Sequence, residues 1–267
     1  MELPPAPIPA FPPPPPGEAP PRSSRGGLFV GVALLVVAAI LLSLALFGTR
    51  ALETSGSPHG AHAFLDRATD GTPYRWNPCQ PIHYVVNPDH EPAGAEADLH
   101  EAIARLSAAT GIRFVDEGTS VYTADQQIGS VFQEDIPGGP RYLPLLITFV
   151  TNQDFHFIVD TKQAIAFGMP YRGDGALAHE FVSGVVVIDV GPPIPAGFGS
   201  RFSMGPLLMH ELGHVMGLAH VGAGNEIMWS PTVRPHDQPD PFQTDWGAGD
   251  LEGLRLLGRN AGCLAPR

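Results

Sequence analysis

The segment from residue 210 to residue 220 constrains this chain most, because it spaces three histidines and a glutamate as a single metal site requires. It reads His-Glu-Leu-Gly-His-Val-Met-Gly-Leu-Ala-His. A helix turns about 100° per residue, so His210 and His214 lie one turn apart on the same face and can converge on one ion. Gly217 can adopt a positive φ, which predicts that the helix ends there and that the chain turns back with His220 as a third ligand. Three nitrogen ligands leave a fourth position for water, which is typical of a catalytic zinc site.

Glu211 lies beside the face that carries His210 and His214. From this position a carboxylate can hold a water at the metal without being a ligand, and it can act as a general base. The alternative is that these histidines are scattered polar residues of a buried helix and bind no common metal ion.

The pattern resembles the zinc signature of the metzincin metallopeptidases. Met228 follows His220 by eight residues and is similar to the Met-turn that metzincins place beneath the zinc, at a spacing similar to that of matrixins. Residues 250–258 resemble the last helix of the matrixin catalytic domain. The segment Trp229–Pro231 departs from the matrixin pattern, because a serine separates the aromatic residue from the proline.

The resemblance implies a zinc-dependent endopeptidase that hydrolyses peptide bonds in extracytoplasmic proteins. One zinc held by His210, His214 and His220 would polarise the scissile carbonyl and acidify a water, and Glu211 would take the proton from that water. Met228 would form the turn beneath the zinc. The alternative is a membrane-anchored zinc-binding or adhesion module without turnover, against which the intact Glu211 argues.

The fold implied by the resemblance is α+β and zincin-like. It is a twisted, mostly parallel sheet of five strands with one antiparallel edge strand, two long helices and a C-terminal helix. Hydrophobic patterning predicts elements in this order, with strands at 82–86, 112–115, 143–151 and 184–190 and helices at 95–109 and about 203–217. By position in that plan, the edge strand would lie at about 176–181 and would pair with an extended substrate.

Only parts of further metal sites are present. His179 lies in a segment that resembles part of the structural zinc site of some matrixins, but the His-x-Asp partner spacing of that site is missing and no further histidine follows until His210. Asp154 and His156 supply only part of the ligand set for such a zinc site. Asp237 and Asp240 could hold Ca²⁺, although solvated loop carboxylates explain them as well.

The only two cysteines, Cys79 and Cys263, flank the predicted catalytic domain. In an oxidising compartment they predict a disulfide that ties its start to its end, with a contribution of about 4–5 kcal/mol in the chain-entropy picture. The alternative, suggested by matrixin pro-segments, is that Cys79 blocks the zinc as a thiolate. The residues around Cys79 lack the pattern that accompanies such a cysteine.

The first 72 residues are organised differently. Residues 1–27 are rich in proline and predict a disordered cytoplasmic tail, and residues 28–47 carry no charge over a length that crosses about 30 Å of hydrocarbon. This run exceeds the core of a cleavable signal peptide, which favours an uncleaved transmembrane anchor. Residues 48–72 would be a linker and 73–267 the matrixin-like domain. Arginines around the span favour a cytoplasmic N-terminus and a cell-membrane protein with its catalytic domain outside.

Charge argues against a nucleic-acid partner. The chain has a net charge of −12, and its only lysine is Lys162, so it matches a phosphate backbone poorly. The expected partners are a protein or peptide substrate and, through the anchor, a membrane.

Overall fold

A computed structural model of the chain describes residues 60–129, 132–133, 141–151, 165–230 and 243–264. All of these residues belong to one compact unit, Leu52–Arg267. Its strands are β1 (Arg75–Trp76), β2 (Ile82–Asn87), β3 (Phe114–Thr119), β4 (Phe132–Gln133), β5 (Arg141–Tyr142), β6 (Leu145–Val150), β7 (Ala166–Arg172) and β8 (Glu180–Asp189). Its helices are α1 (Ala95–Thr110), α2 (Ala124–Gly129), α3 (Met204–Met216) and α4 (Ala248–Leu257).

The fold is mixed α and β, and its larger sheet has six strands and is mostly parallel. Strands β1, β8, β6, β2 and β3 are hydrogen-bonded in that order and run parallel, while β7 pairs antiparallel with β8. Strand β6 is buried along its whole length, as expected for a central strand with an apolar, β-branched sequence. Strands β4 and β5 form a separate antiparallel pair.

Helices α1, α3 and α4 share one hydrophobic core with the sheet. This core contains Leu99 and Leu106 of α1, Ile147 of β6, and Leu208 and Leu212 of α3. Helix α3 is buried around most of its circumference, which is typical of a helix inside a packed core. The position of the helix that carries the histidine motif is therefore fixed by its packing in the core.

The ends of the two long helices agree with the sequence pattern. Helix α1 is followed by Gly111, which has a φ of 70°. Helix α3 begins after Ser203 and ends before Gly217, whose φ of 108° directs the chain away from the helix axis. The predicted bounds of the helix that carries His210 and His214 are confirmed.

Two details of the predicted sheet are wrong. It has six strands and not five, because β1 is only two residues long and is too short to show a hydrophobic period. The antiparallel strand is Ala166–Arg172 and not the segment 176–181, which contains a 3₁₀ turn and the start of β8. Gly168 and Pro170 within this strand lower its apparent β-propensity and conceal it.

The segment that precedes β1 also differs from the prediction, because it contacts the domain. Residues 60–72, the described part of the predicted linker 48–72, pack on the domain: Phe64 forms a β-bridge with Leu218, and the Ala219 N–H donates to the Ala63 carbonyl at 2.9 Å. Cys79 and Cys263, in contrast, are joined in the predicted disulfide, so Cys79 does not supply a thiolate to the histidines.

The predicted membrane localisation requires correction. No helix in the part of the chain that the structure describes is both long enough and apolar enough to cross a bilayer. The segments that carried this prediction, 1–27 and 28–47, lie outside the described residues.

Candidate metal centre

Three imidazoles converge beside the C-terminal half of α3. The Nε2 atom of His220 lies 3.0 Å from Nε2 of His210 and 3.0 Å from Nε2 of His214. The ligand atoms of the three residues all lie within 4.8 Å of one another. Zinc–nitrogen bonds of about 2.0–2.1 Å at tetrahedral angles place ligand nitrogens about 3.3 Å apart. The three histidines are close enough together to hold one metal ion, and their spacing is compatible with zinc.

Backbone carbonyls determine which ring nitrogens carry protons. His210 Nδ1 lies 2.7 Å from the Ile227 oxygen, and His214 Nδ1 lies 2.8 Å from the Leu218 oxygen. A carbonyl only accepts, so each Nδ1 carries a hydrogen, and in the neutral ring each Nε2 presents a lone pair. A single N–H on His220 Nε2 could satisfy only one of these lone pairs, whereas a metal cation would satisfy all three nitrogens. The chemistry of the donor set therefore fits a metal.

Burial keeps the three rings neutral. Desolvation lowers the pKa of His210. The same cause, assisted by the neighbouring imidazoles, lowers the pKa of His214 well below its ordinary value and that of His220 to about 3. Neutral imidazole is the form that ligates a metal, so protons do not compete for these nitrogens near neutral pH.

Glu211 follows His210 in α3 and is only 5% exposed. Burial raises the pKa of its carboxyl group to about 8, while the Gly168 N–H, which donates to that carboxyl, acts in the opposite direction. A cation at the histidines would favour the carboxylate form and lower this pKa. Glu211 is not among the clustered ligand atoms, which suits a group that acts on a water and not on the metal.

Gly168 in β7 is a residue of the site that sequence analysis does not identify. A Cβ at this position would overlap the backbone oxygen of Glu211, so glycine lets β7 approach α3 closely enough to hold the carboxyl group. An isolated glycine within a strand suggests a close approach of backbones. The sequence carries this signal, but the glycine and the proline within β7 conceal the strand itself.

Met228 lies against the side of α3. Its sulfur packs on Gly213, where a Cβ would overlap the sulfur atom. The Met228 carbonyl accepts from the Val221 N–H at 2.9 Å, one residue after the third histidine. The carbonyl of the preceding residue, Ile227, accepts a hydrogen bond from the Nδ1–H group of His210. The turn that carries Met228 therefore positions two of the three histidines.

Two buried carboxyl groups hold this turn in place. Asp250 of α4 accepts hydrogen bonds from the N–H groups of Ile227, of Gly247 at 3.0 Å and of Met228 at 3.3 Å. The Asp250 N–H in turn donates to Glu226 at 2.9 Å. Burial, reinforced by the charge of Glu226, raises the pKa of Asp250 to about 7. The sequence pattern placed Asp250 only at the start of the last helix and gave no signal for its contacts with the turn.

The other predicted ligands are not brought together. His179 stacks on Tyr74 with ring centroids 5.5 Å apart, and within the described residues it joins no group of clustered ligands. The remaining candidates, Asp154, His156, Asp237 and Asp240, lie outside the described residues. A second zinc and bound calcium therefore stay predictions.

No protein-family model matches this chain, and no curated protein matches it. The likeness to metzincins consequently rests on the motif residues alone.

Proposed function

We propose that this chain is a zinc-dependent endopeptidase with a zincin-like, matrixin-like catalytic domain. The observation that carries the proposal is the convergence of the Nε2 atoms of three histidines. In two of these rings the Nδ1–H group donates to a backbone carbonyl. A buried carboxyl group next to this cluster adds the second component that peptide hydrolysis needs.

The roles of the residues follow from this arrangement. His210, His214 and His220 would hold a zinc ion, which as a Lewis acid would polarise a peptide carbonyl and make a water more acidic. Glu211 takes the proton from the attacking water and passes it to the leaving amine. The Gly168 N–H orients the Glu211 carboxyl group, and the turn at Met228 keeps the imidazoles in place.

Strand β7 supports a peptide as the substrate. It contacts α3 at Glu211 through Gly168, and among the described residues it pairs with β8 only. The main-chain groups along its other side can pair with an extended peptide, which is a common way for proteins to bind unfolded segments. An endopeptidase uses such a strand to align the chain that it cleaves.

Removal of the metal tests the proposal. The full chain is treated with a chelator, and its cleavage of unstructured casein is measured before treatment, after it, and after zinc is restored. We expect activity to fall by about 10²-fold or more and to return with one equivalent of zinc, since the Lewis acid stabilises the transition state by several kcal/mol. Magnesium serves as the control and should not restore cleavage.

Two results would contradict the proposal. Cleavage that persists in folded, metal-free protein would exclude a zinc-dependent reaction. Zinc binding with no cleavage of any protein would instead indicate a zinc-binding module without turnover.

A further inference from the structure

Residues 60–66 form a strap across the turn that joins α3 to the third histidine. The Leu65 N–H donates to the Gly217 carbonyl at 2.8 Å, and the Ala219 N–H donates to the Ala63 carbonyl at 2.9 Å. Gly217 and Ala219 are the first and the last residue of this turn. The strap therefore fixes the path of the chain immediately before the third histidine.

Leu218, in the middle of the turn, carries the effect of the strap to a second histidine. It lies opposite Phe64 of the strap in an antiparallel β-bridge. Because the residues on either side of Leu218 make the hydrogen bonds to the strap, its own N–H and carbonyl groups face away from it. The Leu218 N–H donates to the Gly213 carbonyl at 3.0 Å, and the Leu218 oxygen lies 2.8 Å from His214 Nδ1. The strap therefore supports the orientation of His214 as well as the position of His220.

Contacts at both ends hold the strap independently of this turn. At the C-terminal end, the Asp66 carboxylate pairs with Arg172 of β7 at 3.1 Å. The Asp66 carbonyl accepts from the Tyr74 N–H at 3.2 Å. At the N-terminal end, the Ala61 carbonyl lies so close to α4 that a Cβ on Gly249 would overlap it. A segment that is fixed at both ends can support the turn that pairs with its middle.

We propose that the strap is part of the candidate metal centre and positions His214 and His220 for the ion. This inference rests on the proposed zinc site and does not depend on peptide hydrolysis. The backbone groups of Leu65 and Ala63 act through the turn, so they are positioning groups and not ligands. Groups that orient metal ligands raise the affinity, because the ligands then lose little freedom when the ion binds. The metal-binding unit therefore includes residues that precede the predicted domain start at residue 73.

Leu65→Pro tests this inference, because proline lacks the N–H group that donates to Gly217. Zinc affinity of the full chain is measured by competition with a chelator, beside Leu65→Ala, which keeps the N–H group. We expect the Kd for zinc to rise about tenfold or more in Leu65→Pro, as when support is removed from a metal ligand. In Leu65→Ala the Kd should change less than about twofold. Urea unfolding of the metal-free proteins measures their stability separately.

Ala68→Pro is the matched control. It removes an N–H group of the same kind, which donates to the Thr72 carbonyl at 2.8 Å in the turn after the strap. A strap that only stabilised the fold would make Leu65→Pro less stable without metal and leave the zinc Kd of its folded form unchanged. Equal zinc Kd values for Leu65→Pro and Ala68→Pro would therefore overturn the inference.

Hydrogen exchange in the wild type is a second test that does not require a proline variant to fold. A strap that strengthens zinc binding must be stabilised by zinc to the same extent, since such coupling is reciprocal. We expect zinc to slow exchange of the Leu65 and Ala219 N–H groups about tenfold or more relative to the Ala68 N–H group. Equal slowing of all three groups would overturn the inference while the zinc site stands. A folded wild-type chain that binds no zinc would overturn both.

Discussion

Replacing Glu211 with glutamine is expected to lower kcat/KM for protein substrates by about 10²–10⁴-fold, the usual contribution of a general base. Glutamine has the same shape and can still accept the hydrogen bond from Gly168, but it cannot take a proton from water. Because burial already disfavours the charge of Glu211, the neutral side chain should not destabilise the protein. Zinc content should therefore stay at the wild-type value.

Glu117→Gln is the control for this experiment, since Glu117 lies in β3 and pairs with His83 at 2.8 Å. It should leave both zinc content and cleavage unchanged. If Glu211→Gln bound zinc and retained more than about a third of the wild-type rate, the assigned role of Glu211 as general base would be wrong.

Replacing Asp250 with alanine is expected to lower the free energy of unfolding by about 3–5 kcal/mol. The substitution removes the acceptor for the N–H groups of Ile227, Met228 and Gly247. A buried donor without a partner costs about 1–3 kcal/mol. Because Ile227 holds His210, zinc affinity should fall as well. Urea unfolding and zinc titration measure the two effects.

Asp250→Asn separates the hydrogen bonds from the charge. It retains an acceptor oxygen, so we expect it to stay within about 1 kcal/mol of the wild type at pH 5. Asp245→Ala is the surface control, since the Asp245 side chain is 67% exposed, and it should change stability by less than about 0.5 kcal/mol. An Asp250→Ala variant as stable as Asp245→Ala would show that Asp250 does not support the turn.

The stability of the wild type and that of Asp250→Asn should depend differently on pH, because the pKa of Asp250 is raised to about 7 in the folded protein. Between about pH 4 and pH 7 the folded state keeps a proton that the unfolded state has released, so the stabilisation is lost as pH rises through this window. Asparagine has no proton to lose. Between pH 5 and pH 7 the wild type should therefore lose about 2 kcal/mol relative to Asp250→Asn.

The features that the sequence predicted correctly are local ones. The bounds of α3 follow from an apolar helical pattern between a serine and a glycine. The convergence of His210 and His214 follows from their spacing within one helical turn. The position of His220 needed only a glycine that adopts a positive φ, which Gly217 supplies.

The features that the sequence did not reveal join residues that are far apart in the chain. Gly168 meets Glu211 only because β7 lies against α3, and β7 itself was obscured by a glycine and a proline. Asp250 reaches Ile227 only when α4 packs beneath the turn. Such contacts depend on tertiary packing, for which hydrophobic periodicity carries no signal.

The central claim, that three histidines hold one zinc, is tested most directly by zinc analysis and zinc X-ray absorption of the full chain. His214→Ala is measured beside it, and His179→Ala serves as a control outside the cluster. We expect one zinc per chain with three imidazole nitrogens at about 2.0–2.1 Å, loss of the zinc in His214→Ala, and retention in His179→Ala. A folded wild-type chain that binds no zinc, or a His214→Ala variant that keeps it with unchanged coordination, would contradict the account.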